Sequence, residues 1–185
     1  GTTGGDAIGD VLFGDNNQSG KLPSSFPRTE GQIPVYYNHF KTGRPEKNEN
    51  DLNDVSADID LPNSPKFPFG YGLSYTSFQY GEIQLSNSSI NATQKLTAKV
   101  PVTNTGNFDG EETVQLYIRD MVGSVVRPVK ELKGFQKIFL KKGETKTVSF
   151  SLTAEDLKFY NNALSYIYEP GDFEIFIGSN SSDVK

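Results

Sequence analysis

"ETVQLYIRD", Glu112–Asp120, alternates apolar and polar side chains: Val114, Leu116 and Ile118 fall on one side of an extended chain, with Thr113, Gln115 and Arg119 interleaved. Side chains change face at every residue of a strand, so a period of two reads as a β-strand with one buried face. The signal recurs on both sides. "KLTAKVPVTN" (95–104) aligns Leu96, Ala98, Val100 and Val102; "TKTVSFSLT" (145–153) aligns Val148, Phe150 and Leu152; "DFEIFIG" (172–178) aligns Phe173, Ile175 and Ile177. Turn chemistry separates the runs at Asn104–Gly106, Lys142–Gly143 and Pro170–Gly171, which predicts antiparallel strands. Weaker strand signals lie at Ile83–Leu85, Lys130–Phe135 and Ser165–Tyr168. Thr153 is a good N-cap for one helical turn over Ala154–Leu157.

The chain has 185 residues, enough for one domain or one domain with an extension. Hydrophobic residues are 35 % and the mean hydropathy is -0.51, so much of the chain is surface or loop. A net charge of -5 argues against nucleic acid or an anionic membrane as partner. No cysteine is present, which excludes a disulfide scaffold and a thiolate metal site. No apolar run reaches membrane-spanning length. About seven short strands over residues 80–185 predict an immunoglobulin-like β-sandwich. Lacking the Cys and Trp of antibody domains, it fits the fibronectin type III variety. The expected fold is mainly β: a fibronectin type III/immunoglobulin-like β-sandwich preceded by a partial α/β segment and an extended linker.

The first 80 residues do not read as self-sufficient. Asp6 reads as an N-cap, Ala7, Ile8, Val11 and Leu12 share a helical face, and Gly14 is a natural stop. A helix of about two turns does not stand alone. Ile33–Tyr37 reads as an edge strand, and residues 41–66 as a long polar loop. Then comes "KFPFGYGLSY" (66–75); the fourteen residues Phe67–Tyr80 hold three Phe and three Tyr, mixed with Pro68, Gly70 and Gly72. Such rings can stack on sugars, pin an irregular segment to an apolar surface, or form another interface. Because each buried ring contributes roughly 1.5–3 kcal/mol, and the glycines allow turns that side chains would block, the favoured reading is a clasp between the sandwich and what precedes it.

"GGDAIGDVLFGDNNQSGKLPSSFP", "GQIPVYYNH", "TGRP", "FPFGYGLSYTSFQY", "VTNTGNFDGEETVQLYI", "RPVKELKGFQKI" and "EPGDFEIFIGSNSSD" follow in register along nearly the whole chain. Together they resemble glycoside hydrolase family 3 β-glucosidases of the bacterial periplasmic kind. The resemblance implies a barrel, then an α/β sandwich domain, then a fibronectin type III-like domain. Residues 1–40 would be the C-terminal end of the α/β sandwich domain, 41–79 a linker loop with the aromatic docking segment, and 80–185 the fibronectin type III-like sandwich. The family's Asp nucleophile and its acid/base carboxylate would lie upstream of Gly1, so no catalytic, cofactor-binding or metal residue is assigned and the chain alone is expected to be inactive. The implied whole is a periplasmic or extracellular retaining β-glucosidase without a cofactor. Implied partners are its own barrel and α/β domains and a β-glucoside or oligosaccharide, with a homodimer through orphaned surfaces also expected. Many relatives carry a Tyr-rich run between "TGRP" and "PFGYG"; "EKNENDLNDVSADIDLPNSPK" has no aromatic residue, a departure that leaves its approach to the substrate an open question. A rival reading is a free-standing immunoglobulin-like module that binds carbohydrate or protein.

Several residues deserve weighing as sites. Retaining glycosidases need two carboxyls about 5 Å apart; Asp58, Asp60, Glu111 and Glu112 are the candidates, read as solvated acids. Asp51, Asn53, Asp54, Asp58 and Asp60 offer calcium-type oxygens, but Ser56 stands where an EF-hand needs Gly and no Glu closes the loop. His39, the only histidine, reads as structural or surface. Arg127, Lys130 and Lys133 suggest a basic groove or, more simply, an edge strand on which Lys discourages aggregation. Asn17, Asn87, Asn91 and Asn180 match a glycosylation pattern that arises readily in an Asn- and Ser-rich chain.

Overall fold

The structure, a computed structural model, describes residues 1–44 and 61–185. Its strands are β1 (Phe78–Tyr80), β2 (Gln84–Leu85), β3 (Leu96–Asn104), β4 (Gly110–Asp120), β5 (Glu131–Leu140), β6 (Thr145–Leu152), β7 (Phe159–Tyr160), β8 (Tyr166–Ile167) and β9 (Phe173–Gly178). β3 pairs with β6 along one edge and with β1 and β2 along the other. The second sheet has the order β5-β4-β9, and β7 and β8 form a separate hairpin. All pairings are antiparallel. Predicted inward positions make most of the core: Val100, Val102, Val114 and Ile177 are fully buried, and Phe150 and Leu152 nearly so; Leu140, which the pattern did not single out, is fully buried with them. The mainly β sandwich is therefore present.

Thr153 caps a one-turn 3-10 helix over Ala154–Leu157 as expected, and Asp156 completes a capping box. Buried Asn104 closes the β3–β4 turn. Its amide donates to the carbonyls of Phe108 and Leu140, and its oxygen accepts from Thr76 Oγ1 and the Gly106 N–H. The Lys130–Phe135 strand signal is the start of a longer strand, β5. Its register shifts opposite Leu116/Tyr117, where Lys133 has no partner, so the alternation on the two sides of Lys133 is out of phase. The chain end covers part of β9's free edge, with Val184 bridging Gly178 and Lys185 exchanging backbone hydrogen bonds with Ile177.

Two expectations upstream are corrected. Helix α1 spans Gly4–Phe13, with Thr3 at the N-cap position and Asp6 inside the first turn. There the carboxylate of Asp6 still favours the positive end of the helix dipole. Gly14 ends the helix in a left-handed conformation (φ 86°) as anticipated. Ile33–Tyr37 is not a strand: a 3-10 turn occupies Glu30–Gln32, and the first bridge beyond it is the one between Phe40 and Pro128, beside a bond from the Val129 N–H to the His39 carbonyl. Pro34 has no N–H to contribute to a ladder.

Candidate functional site: the seam between the N-terminal segment and the sandwich

β4 is buried on both faces, not one. Val114, Leu116 and Ile118 face the core, while Gln115 and Tyr117, on the opposite face, are 3 % and 0 % exposed. The aromatic segment and the N-terminal residues cover that second face. Phe69 stacks on Tyr37 with ring centroids 4.3 Å apart, and Tyr37 meets Tyr117 edge-on at 5.8 Å. Gln115 Nε2 donates to the carbonyls of Gly70 (3.1 Å) and Ser179 (2.7 Å), and its oxygen accepts the Tyr117 hydroxyl. Burial raises the pKa of Tyr117, so that hydroxyl stays protonated and able to donate.

The segment is in turn laced to the N-terminal residues by backbone bonds. Leu22 N–H donates to the Tyr71 carbonyl and Gly70 N–H to the Leu22 carbonyl; Phe26 N–H donates to Phe67, and Lys66 N–H returns to Phe26. Gly72 lies so close to the Gly20 carbonyl that a Cβ would stand 2.4 Å from it, a direct reason for glycine there. Farther along, Phe78 and Tyr80 pack against the sandwich core. One side of the segment thus holds the N-terminal residues and the other the sandwich: the geometry is that of a clasp. Phe69→Ala is expected to lower stability by about 2 kcal/mol, below the usual range for a fully buried ring because Phe69 is half-buried. Thermal melting and timed proteolysis check this; unchanged values would refute the clasp.

At one end of the seam Lys21 reaches a recess of about 250 Å³. Its ammonium lies 3.2 Å from both carboxylate oxygens of Glu112, and the Tyr80 hydroxyl donates to the same carboxylate at 2.7 Å. Glu112 is 4 % exposed. Burial, then the charge of Glu112, drives the Tyr80 pKa far upward. Glu111 points to the other face and pairs with Lys137 (2.8 Å) and Ser19 (3.0 Å), which hold its carboxyl below the usual range. The two acids therefore serve different cations on different faces and do not form a catalytic pair.

The other candidates separate. Arg127 pairs with Glu131 (2.7 Å) and Asp120 (3.4 Å) and lies over the Phe159 ring, while Lys133 pairs with Glu131 (3.8 Å). β5 is an edge strand, so Lys133 follows the simpler reading, and Arg127, Lys130 and Lys133 share no groove. Lys130 instead enters a second cleft, with His39 on its rim. Asn17 donates to the Asp109 carbonyl and accepts from Ser74 and Tyr75; Asn180 accepts from the Ser182 and Asp183 N–H groups. Both side chains serve as turn and seam pins. Asp51, Asn53, Asp54, Asp58 and Asp60 lie outside the described residues. Among the described residues no group of three or more His, Cys, Asp or Glu is placed to hold a metal. Sequence reading did not anticipate the Lys21–Glu112–Tyr80 cluster. Its members are far apart in the chain, and the only local trace is an acid at an inward position of β4.

Residues 1–75 match the glycosyl hydrolase family 3 C-terminal domain and residues 112–181 the fibronectin type III-like domain. The whole chain is 54 % identical to 24 % of the periplasmic beta-glucosidase of Salmonella typhimurium. The chain belongs to glycoside hydrolase family 3. Over 98 % of its length this family 3 chain is 46 % identical to a beta-xylosidase of Formosa agariphila, again about a quarter (24 %) of the relative. It superimposes on the beta-glucosidase from Listeria innocua, solved in complex with isofagomine, with a TM-score of 0.92 at 46 % identity, covering 98 % of this chain and 25 % of that one. The chain thus spans about a quarter of the length of these relatives, in their C-terminal region. Among the described residues no helix is long and apolar enough to cross a membrane.

Proposed function

We propose that the chain is the non-catalytic C-terminal part of a retaining β-glucosidase, dividing into residues 1–40, 41–79 and 80–185 as read from the sequence. Its role is to hold the end of the α/β domain against the fibronectin type III-like sandwich. The single observation that carries this is identity over the full chain to about a quarter of a periplasmic beta-glucosidase, and the clasp geometry agrees. Helix α1 supports the docking role: Ile8, Leu12 and Phe13 are 63, 71 and 87 % exposed, an apolar face that the upstream α/β and barrel domains would cover. A second copy on that face would instead give a homodimer. A periplasmic or extracellular site of action follows from the same reading. The test is hydrolysis of nitrophenyl β-glucoside and β-xyloside, the latter because beta-xylosidases are among the relatives. The expected result is no turnover by the 185-residue chain and turnover of the glucoside by the protein carrying the upstream domains. Hydrolysis by the chain alone would overturn the reading.

A further inference from the structure

The second cleft lies on the outer face of the β5-β4-β9 sheet, between Tyr36–Thr42, Asn63–Pro65 and the side chains of Arg119 and Lys130, with a volume of about 510 Å³. That is within the roughly 300–1,000 Å³ of small-molecule sites. Its charge is opposite to that of the chain. The net charge is -5, yet Lys41, Arg119 and Lys130 line the cleft beside His39, and no Asp or Glu among the described residues does. Neither Lys41 nor Lys130 is in an ion pair among the described residues. Arg119 gives Nη1 to Glu174 at 3.1 Å, leaving other guanidinium donors free of that bond. The Lys130 ammonium is fixed by the Ser181 carbonyl (2.7 Å) and sits 5.2 Å over the Phe176 ring. Burial, then the nearby Arg119 charge, lowers its pKa: the two cations lie close together, and of the two only Arg119 has an ion-pair partner among the described residues.

The remaining walls are amphipathic. Tyr36, 49 % exposed, and Tyr37 contribute aromatic side chains to the lining. The Ser25 hydroxyl, buried on the cleft wall, has no hydrogen-bond partner among the described residues. Clustered cations disfavour an apolar guest or a metal cation. Such a cleft matches a compact molecule with one oxyanion and a hydroxylated body.

We propose that this cleft binds a sugar acid, its oxyanion held by Lys41, Arg119 and Lys130 and its ring lying against Tyr36. The oxyanion is the carboxylate of a uronic acid or the phosphate of a sugar monophosphate, which present the same chemistry to these donors. The proposal does not rest on the hydrolase reading, and its test does not use hydrolysis.

Calorimetric titration of the chain with glucuronate, glucose 6-phosphate, glucose and inorganic phosphate tests it. One-to-one binding of at least one sugar acid is expected, at least about ten-fold tighter than glucose, because hydrogen bonds to charged groups are the strong ones. Tighter glucuronate identifies the carboxylate source, tighter glucose 6-phosphate the phosphate source. Lys130→Met is expected to weaken binding about ten-fold or more. Lys41→Met, on an exposed side chain and without consequence for folding, is expected to weaken it several-fold. Raising salt from about 50 to 500 mM is expected to weaken it further. No preference over glucose, binding unchanged in both variants, or inorganic phosphate binding as tightly as either sugar acid would each overturn the proposal.

Discussion

Glu112→Ala is expected to destabilise the protein by about 3–5 kcal/mol, the range for removing one partner of a buried ion pair. The side chains of Lys21 and Glu112 are 16 % and 5 % exposed, and Tyr80 donates to the same carboxylate. Alanine at 112 would leave an ammonium and a hydroxyl in a mostly buried recess, each having lost its carboxylate acceptor. The loss arises from that uncompensated polarity, not from the attraction itself, and this distinction is testable. The pair replaced together, Lys21→Met with Glu112→Leu, is expected to recover most of the loss, because apolar replacements of similar volume are often neutral. Urea unfolding of both variants decides it. A double variant as unstable as Glu112→Ala would mean that the pair itself, not the stranded charge, holds the seam.

Gly70→Ala carries the second large effect, about 3 kcal/mol, from two sources. The backbone at Gly70 has φ 77°, which costs an L-residue about 1–2 kcal/mol. An added Cβ would also stand 2.1 Å from Gln115 Oε1. Gln115 cannot swing away without giving up its bonds to Gly70, Ser179 and Tyr117, and stranding such buried groups costs about 1–3 kcal/mol. In a Gln115→Ala background the steric part is absent, so the same glycine substitution is expected to cost only about 1–2 kcal/mol more. An equal cost in both backgrounds would show that Gln115 is not what forbids a side chain at 70.

The strand map was legible because alternation is local: Val114, Leu116 and Ile118 announce a buried face with no knowledge of their partners. So was the Thr153 cap, whose partner Asp156 is three residues away. Gln115 and Tyr117 show where local reading stops. Their positions alternate with the core residues and read as solvent-facing, yet they are covered by Tyr37, Phe69 and Gly70, residues distant in the chain. Ile33–Tyr37 shows the converse: apolar enough for a strand, but with Pro34 unable to donate and no sheet edge pairing along it. The basic cleft was illegible for a similar reason, since Lys41, Arg119 and Lys130 share nothing in sequence and meet only once the N-terminal segment crosses the outer sheet face.

By itself the sequence determined the β-sandwich, the presence of a ring-rich segment suited to docking, and the resemblance to glycoside hydrolase family 3, because periodicity, ring count and ordered motifs are properties of the chain. Tertiary structure alone decided which acid is buried, that the second face of β4 is covered as well, and where positive charge collects. Those depend on contacts such as Lys21 with Glu112, 91 positions apart. Desolvation and charge pairing act through space, and no local pattern records them.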